Sequence, residues 1–204
     1  MRSVGRGTLT AMALAVLESL HECPRHPYEI HQLMQEREVW RMVKVTPGSL
    51  YHTIERLARD GLIEVVETSR AGRRPERTIY RMTEAGQDAF AERLRAMIGE
   101  PATEYPQYPV AVGMLHELQR DDALTQLKRR TIALEAQLAA DHVVEKRLTE
   151  NGVHPLYWAD VELRRRQRET ELDFTRDLID RITTKRVTWP NREQHSEKQT
   201  EQHS

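Results

Sequence analysis

The segment that begins at Thr46 combines the signals of a helix start with side chains that can donate hydrogen bonds. Thr46 is predicted as the N-cap, and Pro47 as the first helical residue. Leu50, Ile54 and Leu57 recur at positions i, i+4 and i+7. One face of this helix is therefore predicted to enter a hydrophobic core, which leaves the other faces open to a ligand.

These open faces suit the major groove of DNA, which a recognition helix enters with its N-terminal residues nearest the bases. Gly48 and Ser49 allow close approach, and the free N–H groups of a helix start suit a phosphate. Tyr51 and His52 can donate hydrogen bonds. An ordinary amphipathic core helix is the alternative. The residues of this region that are predicted to contact DNA are Lys44, Thr46, Gly48, Ser49, Tyr51, His52 and Arg56.

A basic hairpin is predicted directly after this helix. Segments 62–66 and 78–82 are rich in strand-forming residues and flank a turn at 69–75. Arginines at such a tip can follow phosphates or enter a narrow minor groove, although a solvated turn is the alternative. Residues 41–81 hold nine Lys or Arg and five Asp or Glu, a net charge of +4, in a chain of formal net charge −1. The tip residues predicted to contact DNA are Arg70, Arg73, Arg74 and Arg77.

The remaining elements of the N-terminal half complete a recognisable order. Thr8 is predicted to cap a helix that reaches about Leu20, and a short second helix follows a turn at residues 23–27. Thr83 is predicted to start a helix that ends near Ile98. The order helix, helix, helix, hairpin, helix is the plan of a winged helix-turn-helix.

Several motifs in this half resemble the PadR family of transcriptional regulators. The spacing and order match over about residues 9–97, with one departure at Pro27, where the family usually has glycine before the tyrosine. The resemblance implies a homodimeric regulator, usually a repressor that is released by a small molecule or a stress signal. The long C-terminal half resembles the larger, phenolic-acid-type subfamily, whose C-terminal helices dimerise. The motifs are His26-Pro27-Tyr28-Glu29-Ile30, Val45-Thr46-Pro47-Gly48-Ser49-Leu50-Tyr51, Gly61-Leu62-Ile63, Gly72-Arg73-Arg74-Pro75 and Tyr80-Arg81-Met82-Thr83-Glu84-Ala85-Gly86.

The C-terminal half is predicted to be helical after a proline-containing linker at 99–109. A short helix is predicted over about 110–118, a longer one capped by Asp121 or Asp122, and a last one after His154-Pro155. Apolar residues at 3-4 spacing predict a seam that pairs helices between subunits, and packing within one chain is the alternative. The predicted seam residues are Leu124, Leu127, Leu134, Leu138, Val161, Leu172, Ile179 and Ile182.

Aromatic and titratable residues flank the helices of this half. They are predicted to line a mostly apolar pocket for a small-molecule effector, and simple packing at helix junctions is the alternative. The residues of this predicted pocket are Tyr105, Tyr108, His154, Tyr157 and Trp158.

Composition narrows the function classes. Cys23 is the single cysteine, which excludes an intrachain disulfide and favours a reducing, cytoplasmic location. No apolar run approaches the ~20 residues that span a bilayer, and residues 9–20 are interpreted as a buried helix and not as a signal peptide. His21, Cys23, His26 and His31 match no standard zinc spacing, so neither a metal nor a cofactor is expected. Because the chain lacks the common nucleotide-binding and hydrolase motifs, it is not predicted to be an enzyme.

The sequence thus predicts a mainly α fold with a small β-hairpin. Its predicted parts are a winged helix-turn-helix DNA-binding domain at 1–98, a linker at 99–109, a helical dimerisation domain at 110–186 and a disordered polar tail at 187–204. The predicted function is sequence-specific binding of a pseudo-palindromic DNA operator by a homodimeric repressor that a small-molecule effector releases. A winged-helix module that contacts another protein is the alternative.

Overall fold

The computed structural model describes residues 8–69 and 77–190. The chain divides into two compact units, with the boundary between Thr103 and Glu104. The described residues are mostly helical, with one antiparallel pair of strands. The predicted fold class, a winged helix followed by a helical region, is therefore confirmed. Among the described residues, no helix has both the length and the apolar character that crossing a membrane requires.

The N-terminal unit has the predicted order of elements. They are α1 (Ala11–Glu22), α2 (Pro27–Glu36), α3 (Pro47–Arg59), β1 (Ile63–Ser69), β2 (Arg77–Met82) and α4 (Glu84–Gly99), with a short 3₁₀ turn at Val39–Arg41 before α3. The cap of α1 differs from the prediction, because the side chain of Thr10, and not that of Thr8, accepts the hydrogen bond from Ala13 N at 3.2 Å. Pro27 starts α2 behind a capping box in which the Glu29 carboxylate accepts from His26 N at 2.9 Å.

The core of this unit joins the buried faces of the first three helices to the sheet. Its largest fully buried side chains are Leu17, Ile30, Met34, Leu50, Ile54, Leu57 and Ile63. One close approach depends on a glycine: a Cβ atom built on Gly86 would lie 2.1 Å from the carbonyl oxygen of Leu62. The first turn of α4 can therefore rest on the chain leading into β1 only because residue 86 has no side chain.

Ion pairs tie α1 to the end of α2. The guanidinium of Arg37 donates to Glu18 at 2.7 Å and to Glu22 at 2.6 Å, and Arg25 donates to Glu22 at 2.7 Å. The hydrogen bond from Arg37 lowers the pKa of Glu22 below its usual value. This pairing fixes the first two helices against each other on their exposed side.

The strands form an antiparallel hairpin in which Ile63 pairs with Met82 and Val65 pairs with Tyr80, with an irregularity between Val65 and Glu67. The predicted tip residues Arg70, Arg73 and Arg74 lie outside the described residues. Arg77 begins β2, and its side chain also lies outside the described part of the chain. The hairpin itself is where the sequence predicts it.

The C-terminal unit is built on two long helices that pair antiparallel. Its elements are α5 (Gln107–Gly113), α6 (Arg120–Glu150) and α7 (Ala159–Thr183), with 3₁₀ turns at Leu115–Glu117 and Pro155–Trp158. The predicted linker extended to Pro109, but α5 already contains this residue, because proline is tolerated in the first turn of a helix. Gln119, and not Asp121 or Asp122, is the N-cap of α6. The two aspartates lie in the first turn instead, where the helix dipole favours negative charge.

Packing within one chain accounts for the predicted subunit seam. Ile179 is partly buried against the cluster around Leu124, and the other seven seam residues are buried. Six of these seven, all but Val161, lie in apolar clusters that join α6 to α7. The seam residues therefore follow the alternative that the sequence left open. Trp189, inside the segment predicted as a disordered tail, packs on the same cluster and donates its indole N–H to the carbonyl oxygen of Leu118 at 3.2 Å.

Ion pairs between the two helices add polar contacts to this apolar seam. Asp141, only 5% exposed, accepts from Arg168. Arg130 pairs with Glu171 at 2.6 Å, and Arg165 lies 3.0 Å from Glu145. Because removing the partner of a buried acid leaves its charge uncompensated, the contact of Asp141 with Arg168 favours one alignment of α6 on α7.

Candidate nucleic-acid interface

The start of α3 is held by a reciprocal cap between two side chains. The Thr46 hydroxyl oxygen accepts from Ser49 N at 3.2 Å, and the Ser49 hydroxyl oxygen accepts from Thr46 N at 3.1 Å. Pro47 has no N–H, and Leu50 N already donates to the carbonyl oxygen of Thr46. Gly48 thus supplies the remaining backbone N–H in the first turn, available to a phosphate or another anion.

This cap assigns a structural role to two residues that were predicted to contact DNA. The hydroxyls of Thr46 and Ser49 hydrogen-bond to each other at 2.9 Å, and that of Ser49 also donates to the Thr46 carbonyl oxygen at 2.9 Å. Their polar atoms therefore hold the helix start. The glycine between them has open space around it, since nothing lies within 4 Å of a Cβ built on Gly48.

The outward face of α3 is polar and open. Leu50, Thr53, Ile54 and Leu57 are buried, whereas Gly48, Tyr51, His52, Glu55 and Arg59 are exposed. Arg59 follows His52 by seven residues, two turns along the same stripe, and was missed among the predicted contacts. The helical spacing of the buried residues also shows which positions lie on the opposite face, and this signal could have identified Arg59.

The basic residues beside this face differ in their surroundings. Lys44 is exposed two residues before the cap. Arg56 is half-buried and extends along the flank of α3 towards α1, where its guanidinium donates to the Thr10 hydroxyl at 3.3 Å. Arg81 on β2 is neutralised by Glu64 across the hairpin. Among the described residues, positive charge near α3 that has no acidic partner therefore comes from Lys44, Arg56 and Arg59.

Two of the four residues that were compared with zinc ligands, His21 and His26, make other contacts. His26 is occupied as the cap of α2, where its side chain accepts from Tyr28 N at 3.1 Å. The ring of His21 stacks on Phe90 with centroids 6.4 Å apart. Within residues 8–69 and 77–190, no three metal-ligating side chains converge on one point.

A cavity of about 440 Å³ lies in the C-terminal unit, in the size range of small-molecule sites. Tyr108 is the predicted effector residue that lines it. The Tyr108 hydroxyl lies 2.6 Å from the Thr175 hydroxyl, and the guanidinium of Arg130 stacks 3.7 Å from the centre of its ring. Because Arg130 is paired with Glu171, Arg129 is the lining cation that could hold a negative charge. Apolar walls beside this cation suit a ligand that is partly apolar and partly anionic. The lining residues are Tyr108, Ala111, Val112, Leu115, Leu118, Gln126, Leu127, Arg129, Arg130 and Ala133.

The structure does not gather the five predicted effector residues into one pocket. Tyr105 is 87% exposed. His154, Tyr157 and Trp158 lie at the connection between α6 and α7. That connection is separated from Arg130 by about 30 Å of helix at 1.5 Å per residue. The side chains there make local contacts, such as the hydrogen bond from the Trp158 indole to the carbonyl oxygen of Val153 at 3.2 Å.

The order and packing of the N-terminal unit define a winged-helix protein. The family model of the PadR-like transcriptional regulators matches residues 16–92. This unit is therefore a domain of the PadR-like family of transcriptional regulators. The matched family is one of transcriptional regulators.

Solved structures match most of the chain in fold. Bacillus subtilis PadR in complex with operator DNA is 15% identical, with a TM-score of 0.70, over 85% of this chain and 99% of that one. The same protein in complex with p-coumaric acid is 15% identical with a TM-score of 0.71 over the same shares. The Vibrio cholerae virulence activator AphA is 14% identical, with a TM-score of 0.65, over 85% of this chain and 98% of that one. No curated protein matches the sequence.

Proposed function

We propose that this chain is a sequence-specific DNA-binding regulator that represses transcription as a homodimer and is released by a small-molecule effector. The observation that carries the proposal is the open face of α3: Gly48, Tyr51 and His52 are exposed at the N-terminal end of a helix whose opposite face is buried. A helix presented in this way can enter the major groove. Since the proposed partner is chromosomal DNA, we place the protein in the cytoplasm.

Two kinds of contact have separate roles in this proposal. Tyr51 and His52 lie where a recognition helix contacts base edges, so we assign sequence reading to them. The backbone N–H of Gly48, the side chains of Lys44, Arg56 and Arg59, and the wing arginines Arg70, Arg73, Arg74 and Arg77 would contact phosphates. Phosphate contacts supply affinity that falls with salt and carry little sequence information. B. subtilis PadR, whose structure includes operator DNA, has the same fold.

We place the dimer contact on the outward face of α6, because the predicted seam is already filled within one chain. Ile132 and Val143 are exposed eleven residues apart, and Ala136 and Ala139 lie between them. In the sequence, the midpoint of each pair falls between Gln137 and Leu138. An antiparallel copy of α6 related by a twofold axis would set Ile132 against Val143 and Ala136 against Ala139, as a self-complementary dimer interface requires.

The dimer matters because operator reading needs two recognition helices about one DNA turn, ~34 Å, apart. We propose that the effector binds the cavity beside Tyr108 and shifts this spacing. Such a ligand must bind the released state better than the DNA-bound state. Linkage then requires operator DNA to weaken ligand binding by the factor by which the ligand weakens DNA binding.

The effector step can be tested with p-coumaric acid, the compound bound in the B. subtilis PadR structure, as the first probe. Ala133 lines the cavity and is exposed, so Ala133→Phe should fill the space without disturbing the core. We expect this variant to bind the operator normally and to bind the probe weakly. Tyr157→Ala, at the far end of α6, is the matched control and should behave like the wild type. The opposite pattern would move the pocket to the α6–α7 connection.

The sign of regulation needs its own test, since the similarly folded AphA is named an activator. A reporter gene behind the bound promoter should be more active when the regulator is deleted. Lower activity after deletion would make the protein an activator.

A winged-helix module that contacts another protein is the second candidate function. A gel-shift titration with DNA from the region upstream of the protein's own operon separates the two. We expect a discrete shifted complex that survives an excess of unrelated DNA. A smear that unrelated DNA removes completely would favour the protein-contact function.

A further inference from the structure

Glu55 lies on the face of α3 that points away from the core. At 100° per residue, it is about 140° around the helix axis from the buried Leu50. Its side chain is exposed and follows His52 by three residues, so the two side chains are neighbours on the helix surface. A ligand that contacts His52 therefore also meets the Glu55 carboxylate.

The carboxylate of Glu55 is not neutralised by its surroundings. Arg59 stands four residues further on, the spacing of a helical ion pair. Even so, within residues 8–69 and 77–190 Glu55 makes neither an ion pair nor a hydrogen bond through its side chain. Some exposed acids of the same unit are paired, as Glu18 is with Arg37 and Glu64 is with Arg81.

A bare carboxylate on a DNA-facing surface opposes binding, because the phosphates repel it whatever the sequence. It can offset this repulsion by accepting a hydrogen bond from a base. An ionised carboxylate only accepts hydrogen bonds. Guanine and thymine present acceptors in the major groove, and the amino group of adenine is flanked by the acceptor N7. The N4 amino group of cytosine is the donor that suits a glutamate.

We propose that Glu55 selects a cytosine in each half-site of the operator. The inference rests on the proposed DNA-binding function and adds to it the identity of one base. The carboxylate accepts from the cytosine N4 amino group and repels guanine and thymine at the same position. Glu55 therefore lowers affinity for DNA in general and raises the preference for one sequence.

The test is selection of bound sequences from randomised duplex DNA with the full-length protein. Glu55→Gln keeps the size of the side chain, removes the charge and adds a donor. Glutamine pairs with adenine through N6 and N7. We expect the wild type to select cytosine at one position per half-site and Glu55→Gln to select adenine there. The preference for cytosine over adenine should fall by about tenfold or more, in keeping with one base contact.

Glu92→Gln is the matched control, since it removes the same charge from an exposed position of α4 in the same unit. We expect it to leave the selected sequence unchanged. A Glu55→Gln variant that selects the wild-type sequence would overturn the inference alone, and the proposed function would stand. A wild-type protein that selects no sequence would overturn the proposed function together with the inference.

Discussion

Thr46 and Ser49 cap each other at the start of α3, each hydroxyl oxygen accepting from the other residue's backbone N–H, at 3.2 and 3.1 Å. This exchange satisfies two of the N–H groups that a helix start leaves without partners. It also separates the helix start into residues that hold the fold and residues, such as Tyr51 and His52, that are open to a ligand.

The cap predicts opposite results for neighbouring substitutions. Ser49→Ala should lower the free energy of unfolding by about 1 kcal/mol, the usual cost of losing a capping side chain. His52→Ala should leave stability within about 0.5 kcal/mol and weaken operator binding by about 1–3 kcal/mol. Urea denaturation and fluorescence anisotropy with labelled operator measure the two quantities. Full operator affinity in His52→Ala would remove this residue from the interface.

Three glycines in the N-terminal unit predict three different outcomes on substitution by alanine. Gly86→Ala should prevent stable folding, because its Cβ would lie 2.1 Å from the Leu62 carbonyl oxygen, a backbone atom. Gly99→Ala, at the end of α4, meets nothing within 4 Å and should be tolerated. Gly48→Ala has equal space in the protein and should also fold. It should weaken operator binding, because the added methyl group would lie in the proposed DNA interface. Thermal unfolding and anisotropy on all three variants test this; normal operator affinity in Gly48→Ala would contradict the close approach.

Because Asp141 is buried in its pair with Arg168, replacing it should cost more stability than replacing an exposed acid of α6. Asp141→Ala should lower the free energy of unfolding by about 3 kcal/mol, because it leaves a guanidinium that is only 30% exposed without its partner. Glu135→Ala breaks the exposed pair with Arg176 and should cost less than about 1 kcal/mol. Urea unfolding of the two variants provides the comparison, and equal losses would mean that the buried pair contributes no more than a surface one.

If the outward face of α6 forms the dimer contact, a charge introduced on this face should separate the subunits. Ile132→Glu should shift the protein from dimer to monomer in sedimentation equilibrium and weaken binding to a full operator. Leu163→Glu places the same charge on an exposed position of α7 and should leave the dimer intact. Dissociation by the second variant and not by the first would move the interface to α7.

Local signals made the winged helix predictable from sequence. The segment Thr46-Pro47-Gly48-Ser49 holds its cap within four residues, and the buried face of α3 follows from its own period. The cap of α1 was misplaced by two residues because Thr8 and Thr10 have the same capping chemistry, and the choice depends on where the core begins.

Contacts between residues that are far apart in the sequence could not be predicted in the same way. Apolar residues at 3-4 spacing, such as Leu134 and Leu172, have the same pattern whether the partner helix belongs to the same chain or to another. The effector prediction combined residues that flank both ends of α6, a helix of 31 residues and therefore about 45 Å long. Because these ends cannot meet, Tyr108 lines the cavity while Trp158 packs locally at the other end.

Equilibrium binding of the purified protein to its selected operator, compared with a scrambled duplex at the same salt concentration, tests the central proposal most directly. We predict that the operator binds about a thousandfold or more tightly than the scrambled duplex, as specific DNA-binding proteins do. We also predict that Tyr51→Ala and His52→Ala reduce this ratio while affinity for the scrambled duplex stays constant. Equal affinity for the two duplexes, or a ratio that neither substitution changes, would contradict sequence reading by α3.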